Sequence, residues 1–546
     1  MSRFRVIAFV AAALVVSLAS VPGYGQAAAP ATAASTQSAA DPTARTTTRP
    51  ATTQAGEKGD RLVVTEHELK AGRRVLRYTA TAGTMAQKDE SGATKADMFF
   101  VAYTLNRGGD ADADGDAESG PTARPVTFVF NGGPGAASVW LHLGTAGPKR
   151  IDISESGVPA APPFRVVDNE ATWLDATDLV FIDPVGTGYS RPAQGEKGEQ
   201  FYGVEEDIRS VGSFIRLYTT RYQRWPSPKF LAGESYGTTR AAGLSEYLLE
   251  KQGISLNGII LISAVLNFQT IVAGGGNDLP YVLYLPTYAA AAWHHKKLAA
   301  PLQADFEKTL REVEQFALTD YAAALAAGDS IDEKQRRDVA ERLARYTSLD
   351  VDWLLRGNLR INPTRFRQEL LADERKVIGR FDARLTGFAS DPQNDASDYD
   401  PSLSLFLPLY SGAWNHYART QLKFESDLSY EVLTERVHPW NFGGGGRSNG
   451  YLYVADTLRA TMLKNPQLKL LVAAGKIDLA TPYLASDYTV NHLNLPPELR
   501  RNITRTYYPA GHMMYHDAGS RRQLDEDVTR FIRGATTQPT ATTQRP

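Results

Sequence analysis

Residues 233–237 have the sequence Gly-Glu-Ser-Tyr-Gly, which places a serine between two glycines, a spacing that suits a nucleophile. They follow a short apolar run, Lys229–Ala232, and precede a helical pattern from Thr238 to about Leu249. A strand, a sharp turn and a helix in this order form a nucleophile elbow, whose crowded backbone excludes a Cβ at either glycine and exposes the serine hydroxyl. The pattern predicts that Ser235 is a nucleophile, and the alternative is an ordinary turn serine.

A serine hydroxyl needs a neighbouring base, which is usually a histidine oriented by a carboxylate. The apolar stretch Leu470–Ala473 leads into a loop that contains Asp478, and Thr504–Tyr508 leads into a loop that contains His512. The chain order serine, acid, histidine is that of the α/β hydrolases. We therefore predict that Ser235, Asp478 and His512 form a catalytic triad.

Three further histidines bear on this assignment. His516 follows closely after His512, and we expect a structural or solvent-facing role for it. His294 and His295 lie in a helical stretch, where adjacent side chains diverge, so the pair does not predict a metal site. We expect neither a metal ion nor another cofactor.

A glycine-rich loop with the sequence Asn-Gly-Gly-Pro-Gly occupies residues 131–135, directly after the predicted strand Val126–Phe130. Such a loop can direct backbone N–H groups at the oxyanion of a tetrahedral intermediate, each worth about 3 kcal/mol. We predict that the N–H groups of Gly133 and Tyr236 form the oxyanion hole. A phosphate-binding loop or a plain turn is the alternative, although the Lys-Ser/Thr ending of a phosphate-binding loop is missing.

Short β-rich runs alternate with helical patterns along most of the chain. This alternation is typical of an α/β fold, in which a mostly parallel central sheet is flanked by helices. We also predict a helix at Val204–Tyr218 whose apolar stripe packs on the sheet. The predicted strands are Asp97–Leu105, Pro125–Phe130, Asp178–Ile182, Lys229–Ala232, Gly258–Ile262, Lys469–Ala473 and Thr504–Tyr508.

The stretch from about Asn267 to Trp440 departs from this alternation and is rich in Ala, Leu, Arg and Glu. Helical periods occur near Pro301–Ala326, Asp332–Tyr346 and Thr364–Ala372. We predict an α/β-hydrolase fold with a helical cap insertion at about 267–440, which covers one end of the sheet and shapes the substrate site.

The composition excludes several classes of function. Acidic and basic side chains number 61 and 59, which leaves a formal net charge of −2. No net field then favours nucleic acid or an anionic membrane, and we expect no nucleic-acid partner. Cysteine is absent, which excludes disulfides, thiolate metal sites and a lipid-modified cysteine anchor.

The two ends of the chain differ in composition from the rest. Residues 1–25 contain two early arginines, an apolar run and then small, turn-forming residues, the pattern of a signal peptide, with an uncleaved anchor as the alternative. Residues 26–58, rich in Ala, Thr and Pro, and the similar tail 535–546 are predicted to be disordered. We expect an exported protein, periplasmic or secreted, with its catalytic domain at 59–534 and no stable membrane insertion after signal cleavage.

Five ordered sequence blocks resemble those of the serine carboxypeptidase family. They are Asn131–Ser138, Asp183–Ser190, Gly233–Gly237, the loop that contains Asp478, and Ala510–Met513. The chain is identified as an exported member of bacterial type. The resemblance implies an α/β-hydrolase core with a helical insertion, and removal of C-terminal residues from peptide substrates through an acyl-enzyme.

The resemblance also implies a site for the terminal carboxylate of the peptide. The positions that hold it in the family correspond to Asn131, Gly132 and Glu234. A glutamate so placed must be protonated to donate a hydrogen bond to a carboxylate, so binding is expected to weaken as pH rises. A second family glutamate is replaced here by Thr145 and Ala146, so strict selection of C-termini and an acid optimum are expected to be weaker.

Two other functions are compatible with the predicted triad or with the hydrolase scaffold. The triad is equally suited to an esterase or an acyltransferase, whereas a non-catalytic binding module on a hydrolase scaffold is disfavoured because the triad is complete. The segment Asp110–Asp116 begins like a calcium loop, but Pro121 stands where a bidentate glutamate is needed, which favours a solvated acidic loop. The sequence does not predict an oligomeric state.

Overall fold

The computed structural model of the protein describes residues 60–71, 74–106, 124–159, 161–391, 399–443 and 450–537. The predicted signal peptide at 1–25, the linker at 26–58 and the acidic segment Asp110–Asp116 lie outside the described residues. Of the predicted tail at 535–546, residues 535 and 536 continue the last helix, and residues 538–546 lie outside the described part.

Most of the described strands belong to one large sheet. In chain order the strands are β1 (Arg61–Ala71), β2 (Arg74–Lys88), β3 (Thr94–Leu105), β4 (Val126–Phe130), β5 (Lys149–Ile151), β6 (Val166–Asp168), β7 (Asp178–Ile182), β8 (Arg191–Pro192), β9 (Lys229–Glu234), β10 (Gly258–Ile262), β11 (Lys376–Ile378), β12 (Thr386–Phe388), β13 (Lys469–Gly475) and β14 (Ile503–Tyr508).

The large sheet has the strand order β1-β2-β3-β7-β4-β9-β10-β13-β14, and β8 pairs with β3. From β7 to β14 all neighbouring strands run parallel. The remaining pairs, among β1, β2, β3, β7 and β8, are antiparallel. The predicted mostly parallel central sheet is thereby confirmed, with an antiparallel extension at one edge.

Helices cover both faces of the sheet and form an additional layer above one end. They are α1 (Val139–Leu141), α2 (Val204–Arg221), α3 (Tyr236–Lys251), α4 (Leu279–His294), α5 (Ala300–Gln303), α6 (Phe306–Phe316), α7 (Ala322–Ala327), α8 (Glu333–Thr347), α9 (Val351–Arg356), α10 (Pro363–Glu369), α11 (Pro401–Thr420), α12 (Ala455–Lys464), α13 (Tyr483–Asn491), α14 (Pro497–Arg500) and α15 (Ala518–Thr536).

Two apolar cores lie on opposite faces of the sheet, and the alternating side chains of the parallel strands reach both. In β10, Ile259 and Leu261 join the core beneath α2, α3 and α12, whereas Ile260 and Ile262 join the core beneath α15. Strands buried on both faces need apolar residues at every position, which explains the continuous apolar runs in the sequence. The central strands of the sheet are therefore covered on both faces and support the loops at their ends.

The segment between β10 and β13 contains the cap. Helices α4 to α10 and strand β11, which pairs with β12, form a third apolar core of their own. Ile477 and Leu479, from the loop that follows β13, are part of this core, so the cap packs directly on that loop. Within the described residues, none of the helices combines the length and the apolar character needed to cross a lipid bilayer.

All seven predicted strands are present, and β7 and β10 have the predicted bounds. The predicted helix at Val204–Tyr218 is α2, which continues to Arg221. The sequence did not predict β1 and β2 of the antiparallel edge, nor the two long helices α4 and α11 of the cap segment.

Candidate active site

Ser235 lies in the sharp turn between β9 and α3. β9 is buried in the middle of the sheet between β4 and β10, and α3 begins at Tyr236. The backbone of Ser235 has φ +60° and ψ −129°, a conformation that L-residues rarely adopt. It is held because its N–H donates to the Ile262 carbonyl at 3.0 Å and its own carbonyl accepts from the Thr238 N–H at 2.8 Å. This is the strained strand-turn-helix geometry of a nucleophile elbow.

The two glycines of the turn are required by close backbone contacts. A Cβ at Gly233 would lie 2.2 Å from the Gly237 carbonyl oxygen, and a Cβ at Gly237 would lie 2.9 Å from the Phe130 carbonyl oxygen. Both distances are too short for a carbon atom, so the turn excludes any larger residue at these positions. The spacing of the glycines in the sequence follows from this crowding.

Asp478 and His512 come together at the ends of β13 and β14. Asp478 Oδ2 lies 2.7 Å from His512 Nδ1, and both side chains are buried. Asp478 Oδ1 accepts hydrogen bonds from the N–H groups of Ala480 at 2.7 Å and Thr481 at 3.1 Å. Burial, the largest single effect, lowers the pKa of His512, but the charge and hydrogen bond of Asp478 together with the charge of Glu234 raise it above its ordinary value. The carboxylate thus orients the imidazole and favours its protonated form.

Thr481 is a partner of this pair that the sequence did not reveal. Its Oγ1 donates to Asp478 Oδ2 at 2.7 Å and also lies 3.1 Å from His512 Nδ1. Oδ2 therefore accepts from both a hydroxyl and the imidazole, which fixes the direction of the carboxylate. The backbone of His512 is held as well, since its carbonyl accepts from Ser263 Oγ at 2.7 Å.

The loop Arg380–Ala383 of the cap, called the cap loop below, bonds to the loops of both the acid and the base. Its Phe381 carbonyl accepts from the His512 N–H at 2.6 Å, and its Arg380 carbonyl accepts from the Leu479 N–H at 3.0 Å. The Phe381 ring also lies 5.2 Å from the imidazole, measured between ring centroids. The cap therefore helps to position the candidate catalytic side chains and does not only cover them.

Ser235 and His512 line one cleft of about 950 Å³, a volume that includes the part open to solvent. This space, called the Ser235 cleft below, is walled mainly by apolar side chains of the core and the cap. Of the other predicted site residues, Asp478 is fully buried behind His512 and the remaining ones reach the cleft. Those that line it are Asn131, Gly132, Gly133, Glu234 and Tyr236.

The glycine-rich loop packs directly against the nucleophile turn. A Cβ at Gly132 would lie 2.5 Å from the backbone nitrogens of both Tyr236 and Gly237. Gly133 has φ +99°, a conformation that favours glycine. Tyr236 is the first residue of α3, so its N–H has no acceptor within the helix. The two predicted oxyanion donors, Gly133 and Tyr236, therefore lie on adjacent backbone segments at the cleft.

Glu234 is a buried carboxyl next to the nucleophile. Asn131 Nδ2 donates to Glu234 Oε1 at 2.9 Å, whereas Oε2 has no hydrogen-bond partner among the described residues. Burial raises the pKa of Glu234 to about 7, although the charge of His512 and the hydrogen bond from Asn131 act to lower it. The carboxyl is thus neutral below about pH 7 and has a proton to donate to a ligand.

A buried ion pair between Arg240 and Asp207 supports the glycine-rich loop. Arg240 Nε donates to Asp207 Oδ2 at 2.6 Å, and both side chains are almost fully buried. The same guanidinium donates to the Asn131 carbonyl and lies over the rings of Phe130 and Tyr236. Arg240 thus connects the candidate carboxylate site with the nucleophile turn. No local sequence pattern indicated this role, because its partners lie in distant elements.

Thr145 and Ala146, which replace the second family glutamate, are both buried and do not line the Ser235 cleft. The Thr145 hydroxyl has no hydrogen-bond partner among the described residues. These two residues thus contribute no acidic group to the cleft.

The other histidines have structural surroundings. His516 is buried, with its Nε2 2.9 Å from the Tyr410 hydroxyl, and burial lowers its pKa, so the structural rather than the solvent-facing alternative is observed. His295 Nε2 lies 2.7 Å from the Ala383 carbonyl of the cap loop, while the His294 ring stands 5.1 Å away and nearly perpendicular to the His295 ring. In the part of the chain that the structure describes, no cluster of three or more residues has the arrangement of a metal site.

Comparison with known proteins agrees with this geometry. Serine carboxypeptidase-like 45 of Arabidopsis thaliana is 28% identical over 173 residues, which cover 28% of this chain and 33% of that protein. The pheromone-processing carboxypeptidase KEX1 of Saccharomyces cerevisiae is 28% identical over 155 residues, 27% of this chain and 19% of that protein. The alignments span only about a fifth to a third of the length of these curated relatives.

Two comparisons extend over most of the chain. The crystal structure of Kex1(delta)p, a prohormone-processing carboxypeptidase from Saccharomyces cerevisiae, superposes with a TM-score of 0.50 at 17% identity, covering 84% of this chain and 91% of that chain. This likeness confirms the predicted α/β-hydrolase fold. A family model described as serine carboxypeptidase matches residues 115–521. The chain therefore belongs to the serine carboxypeptidase family.

Proposed function

We propose that this protein is a serine-type carboxypeptidase that hydrolyses peptides at the C-terminus through an acyl-enzyme on Ser235. The observation that carries the proposal is the 2.7 Å contact between Asp478 and His512, with His512 in the same cleft as a serine in a strained turn. Membership of the serine carboxypeptidase family supports the same activity.

The proposed reaction begins when Ser235 Oγ attacks the scissile carbonyl carbon while His512 Nε2 accepts the hydroxyl proton. Asp478 holds the Nδ1–H side of the imidazole and stabilises the imidazolium. The N–H groups of Gly133 and Tyr236 donate to the oxyanion. The imidazolium then gives its proton to the leaving amine, the C–N bond breaks, and the ester of Ser235 remains. Water attacks this ester with His512 as the base, which releases the shortened peptide and restores the serine.

Selection of the C-terminus is assigned to Asn131, Gly132 and Glu234. A neutral Glu234 donates a hydrogen bond to the terminal carboxylate of the peptide, whereas an ionised one repels it. The pKa of about 7 supports this role, because the neutral form then persists in the acid and near-neutral range.

We also propose export of the protein, either to a periplasm or out of the cell. The arginines and the apolar run within residues 1–25 support a cleavable signal peptide, and the Ala/Thr/Pro-rich residues 26–58 support a linker to a catalytic domain at 59–534. Sequencing the N-terminus of the mature exported protein tests this proposal, and an intact N-terminus that begins with Met1 contradicts it.

The activity is tested with peptides that carry a blocked N-terminus, with the products followed by mass spectrometry. Wild-type protein is expected to release free amino acids from the C-terminus one at a time, and the Ser235→Ala variant is expected to release none. His512→Gln should abolish release, whereas the matched variant His516→Gln should retain it, because His516 contacts Tyr410 and not the acid. Hydrolysis of simple esters or acyl transfer to alcohols without any release of amino acids contradicts the proposal.

A further inference from the structure

The Ser235 cleft contains a positively charged side chain from the cap that the proposed reaction does not use. Among the described residues that line the cleft, Arg380 of the cap loop is the only lysine or arginine. We propose that Arg380 binds a carboxylate of the substrate and thereby determines specificity. This inference rests on the proposed carboxypeptidase function and assigns part of its substrate recognition.

The guanidinium of Arg380 is available to a ligand. In the described part of the chain it makes neither an ion pair nor a hydrogen bond, and it lies over the face of the Phe381 ring, 5.2 Å from the ring centroid. Arginine remains charged at all ordinary pH values and has five N–H donors in a planar fork that matches a carboxylate. An unpaired fork at the wall of a mainly apolar cleft is thus a specific partner for a carboxylate.

The backbone that carries Arg380 is rigidly held. Its N–H donates to Asp400 Oδ2 at 2.9 Å, and its carbonyl accepts from the Leu479 N–H at 3.0 Å. Asp400 itself is engaged with Arg367 at 3.3 Å and with the N-terminus of α11, so it does not neutralise the guanidinium. A fixed backbone with a free charged head reduces the ordering cost of binding a ligand.

The other charged groups of the cleft leave room for an anion. Glu234 is neutral below about pH 7. Glu435, exposed at the cleft, is not within ion-pair distance of Arg380. Arg380 and His512 line the same cleft, and the charge of Arg380 acts to lower the pKa of His512. A bound carboxylate would thus lie near the scissile bond.

Two groups of a peptide can supply this carboxylate: the terminal α-carboxylate, or an acidic side chain next to the scissile bond. The kcat/KM of wild type and Arg380→Gln is measured on blocked dipeptides that carry either Glu or Gln on each side of the bond, as free acids and as C-terminal amides. The variant is expected to lose about 10- to 100-fold in kcat/KM on the substrates that carry the recognised carboxylate.

The substrates on which kcat/KM falls identify the carboxylate that Arg380 binds. A loss confined to Glu-containing substrates assigns Arg380 to the side chain, and an equal loss on all free acids but not on amides assigns it to the α-carboxylate. Arg380→Lys keeps the charge without the fork and is expected to lose only part of the preference. Unchanged ratios of kcat/KM between carboxylate and neutral substrates in folded Arg380→Gln overturn the proposal.

Two control variants test whether the effect belongs to this position. Arg375→Gln removes an exposed arginine before the same hairpin but outside the cleft, and it should leave the preference unchanged. Glu435→Gln removes a negative charge from the cleft and should not lower the preference for carboxylate over neutral substrates. A loss in Arg375→Gln as large as in Arg380→Gln would show that only overall charge matters, which also overturns the proposal.

A binding measurement separates this inference from the proposed function. Calorimetry with the Ser235→Ala variant detects binding of the same dipeptides without turnover. If carboxylate peptides bind more weakly to Ser235→Ala/Arg380→Gln than to Ser235→Ala, the Arg380 site is supported, even if the wild-type protein releases no amino acid. Absence of amino acid release by wild type would overturn the proposed function alone. Binding that is equal with and without Arg380 overturns the inference alone.

Discussion

Replacement of Glu234 by glutamine tests whether a neutral carboxyl beside the nucleophile binds the peptide terminus. Burial raises the pKa of Glu234 from 4.5 to about 7, and His512 opposes this rise. A raised carboxyl pKa means that the neutral form prevails below about pH 7 and is lost as the pH rises through that value. Glutamine has a similar shape and donates an N–H at every pH, so the variant should bind a peptide carboxylate with an affinity that does not follow this titration.

The expected size of the effect follows from the pKa of Glu234. With a pKa of about 7, roughly nine-tenths of the side chain is neutral at about pH 6 and roughly one-tenth at about pH 8. The affinity of the wild-type site should therefore fall about tenfold over this range, which corresponds to about 1.4 kcal/mol. The stability of the fold depends on the same protonation. Protonation of Glu234 contributes about 3 kcal/mol to the free energy of unfolding below pH 4.5, and this contribution is lost as the pH rises through about 7.

The assay is calorimetry in the Ser235→Ala background, which removes turnover. A blocked peptide is titrated as its free acid and as its C-terminal amide, into proteins with Glu234 and with glutamine at this position, between about pH 5.5 and 8.5. We expect the pH-dependent loss only for the free acid and only with Glu234 in place. The amide controls for other groups that titrate in the cleft, His512 among them.

Two results would contradict carboxylate binding by a neutral Glu234. A free-acid affinity that falls equally in the Glu234→Gln protein would assign the titration to another group. A free-acid affinity that does not change with pH when Glu234 is present would show that the neutral carboxyl is not needed. Urea denaturation of both proteins provides an independent check, because the difference between their free energies of unfolding should change by about 3 kcal/mol from below pH 4.5 to above pH 7.

Three further substitutions have expected outcomes. Thr481→Val removes the hydroxyl that donates to Asp478 and should lower kcat about 10- to 100-fold with little change in KM; an unchanged kcat would contradict its positioning role. Gly132→Ala places a methyl group 2.5 Å from two backbone nitrogens of the nucleophile turn and should slow labelling by a fluorophosphonate at least about tenfold; labelling at the wild-type rate would contradict the close packing. Arg240→Met leaves the Asp207 carboxylate buried without its cation and should lower the free energy of unfolding by about 3–5 kcal/mol in urea titrations, a loss that Asp207→Leu in the same protein should reduce.

The candidate triad was predictable from sequence because each member follows a local pattern. Ser235 lies in a strand-turn-helix pattern, and Asp478 and His512 each follow an apolar strand. The strands β9, β13 and β14 are parallel members of one sheet, so their carboxyl ends meet at the same edge. Knowledge of the fold class was therefore sufficient to bring together loops that are distant in the sequence.

Residues that act through distant contacts were not predictable. Arg240 reaches the Asn131 carbonyl across 109 positions of sequence, and the cap loop bonds to His512 through the Phe381 carbonyl. Neither contact produces a periodic pattern, since a single side chain or carbonyl is involved in each case. Their roles depend on how the cap and the glycine-rich loop are placed in three dimensions.

Two long helices were missed for a local reason. Pro286 lies inside α4 and Pro408 lies inside α11, and a proline within a helical pattern usually indicates its end. α4 is also buried along most of its length, so its sequence is apolar on nearly every side and has no clear polar face. Tertiary packing stabilises both helices despite the missing backbone donors, since α4 packs in the cap core and α11 packs in the core beneath α15.

The most direct test of Ser235 as the nucleophile is to locate the covalent adduct of a fluorophosphonate by mass spectrometry of the digested, previously folded protein. We predict a single adduct on the peptide that contains Ser235, which disappears in Ser235→Ala and forms much more slowly in His512→Gln. An adduct on another serine, or none on folded wild-type protein, would contradict this prediction.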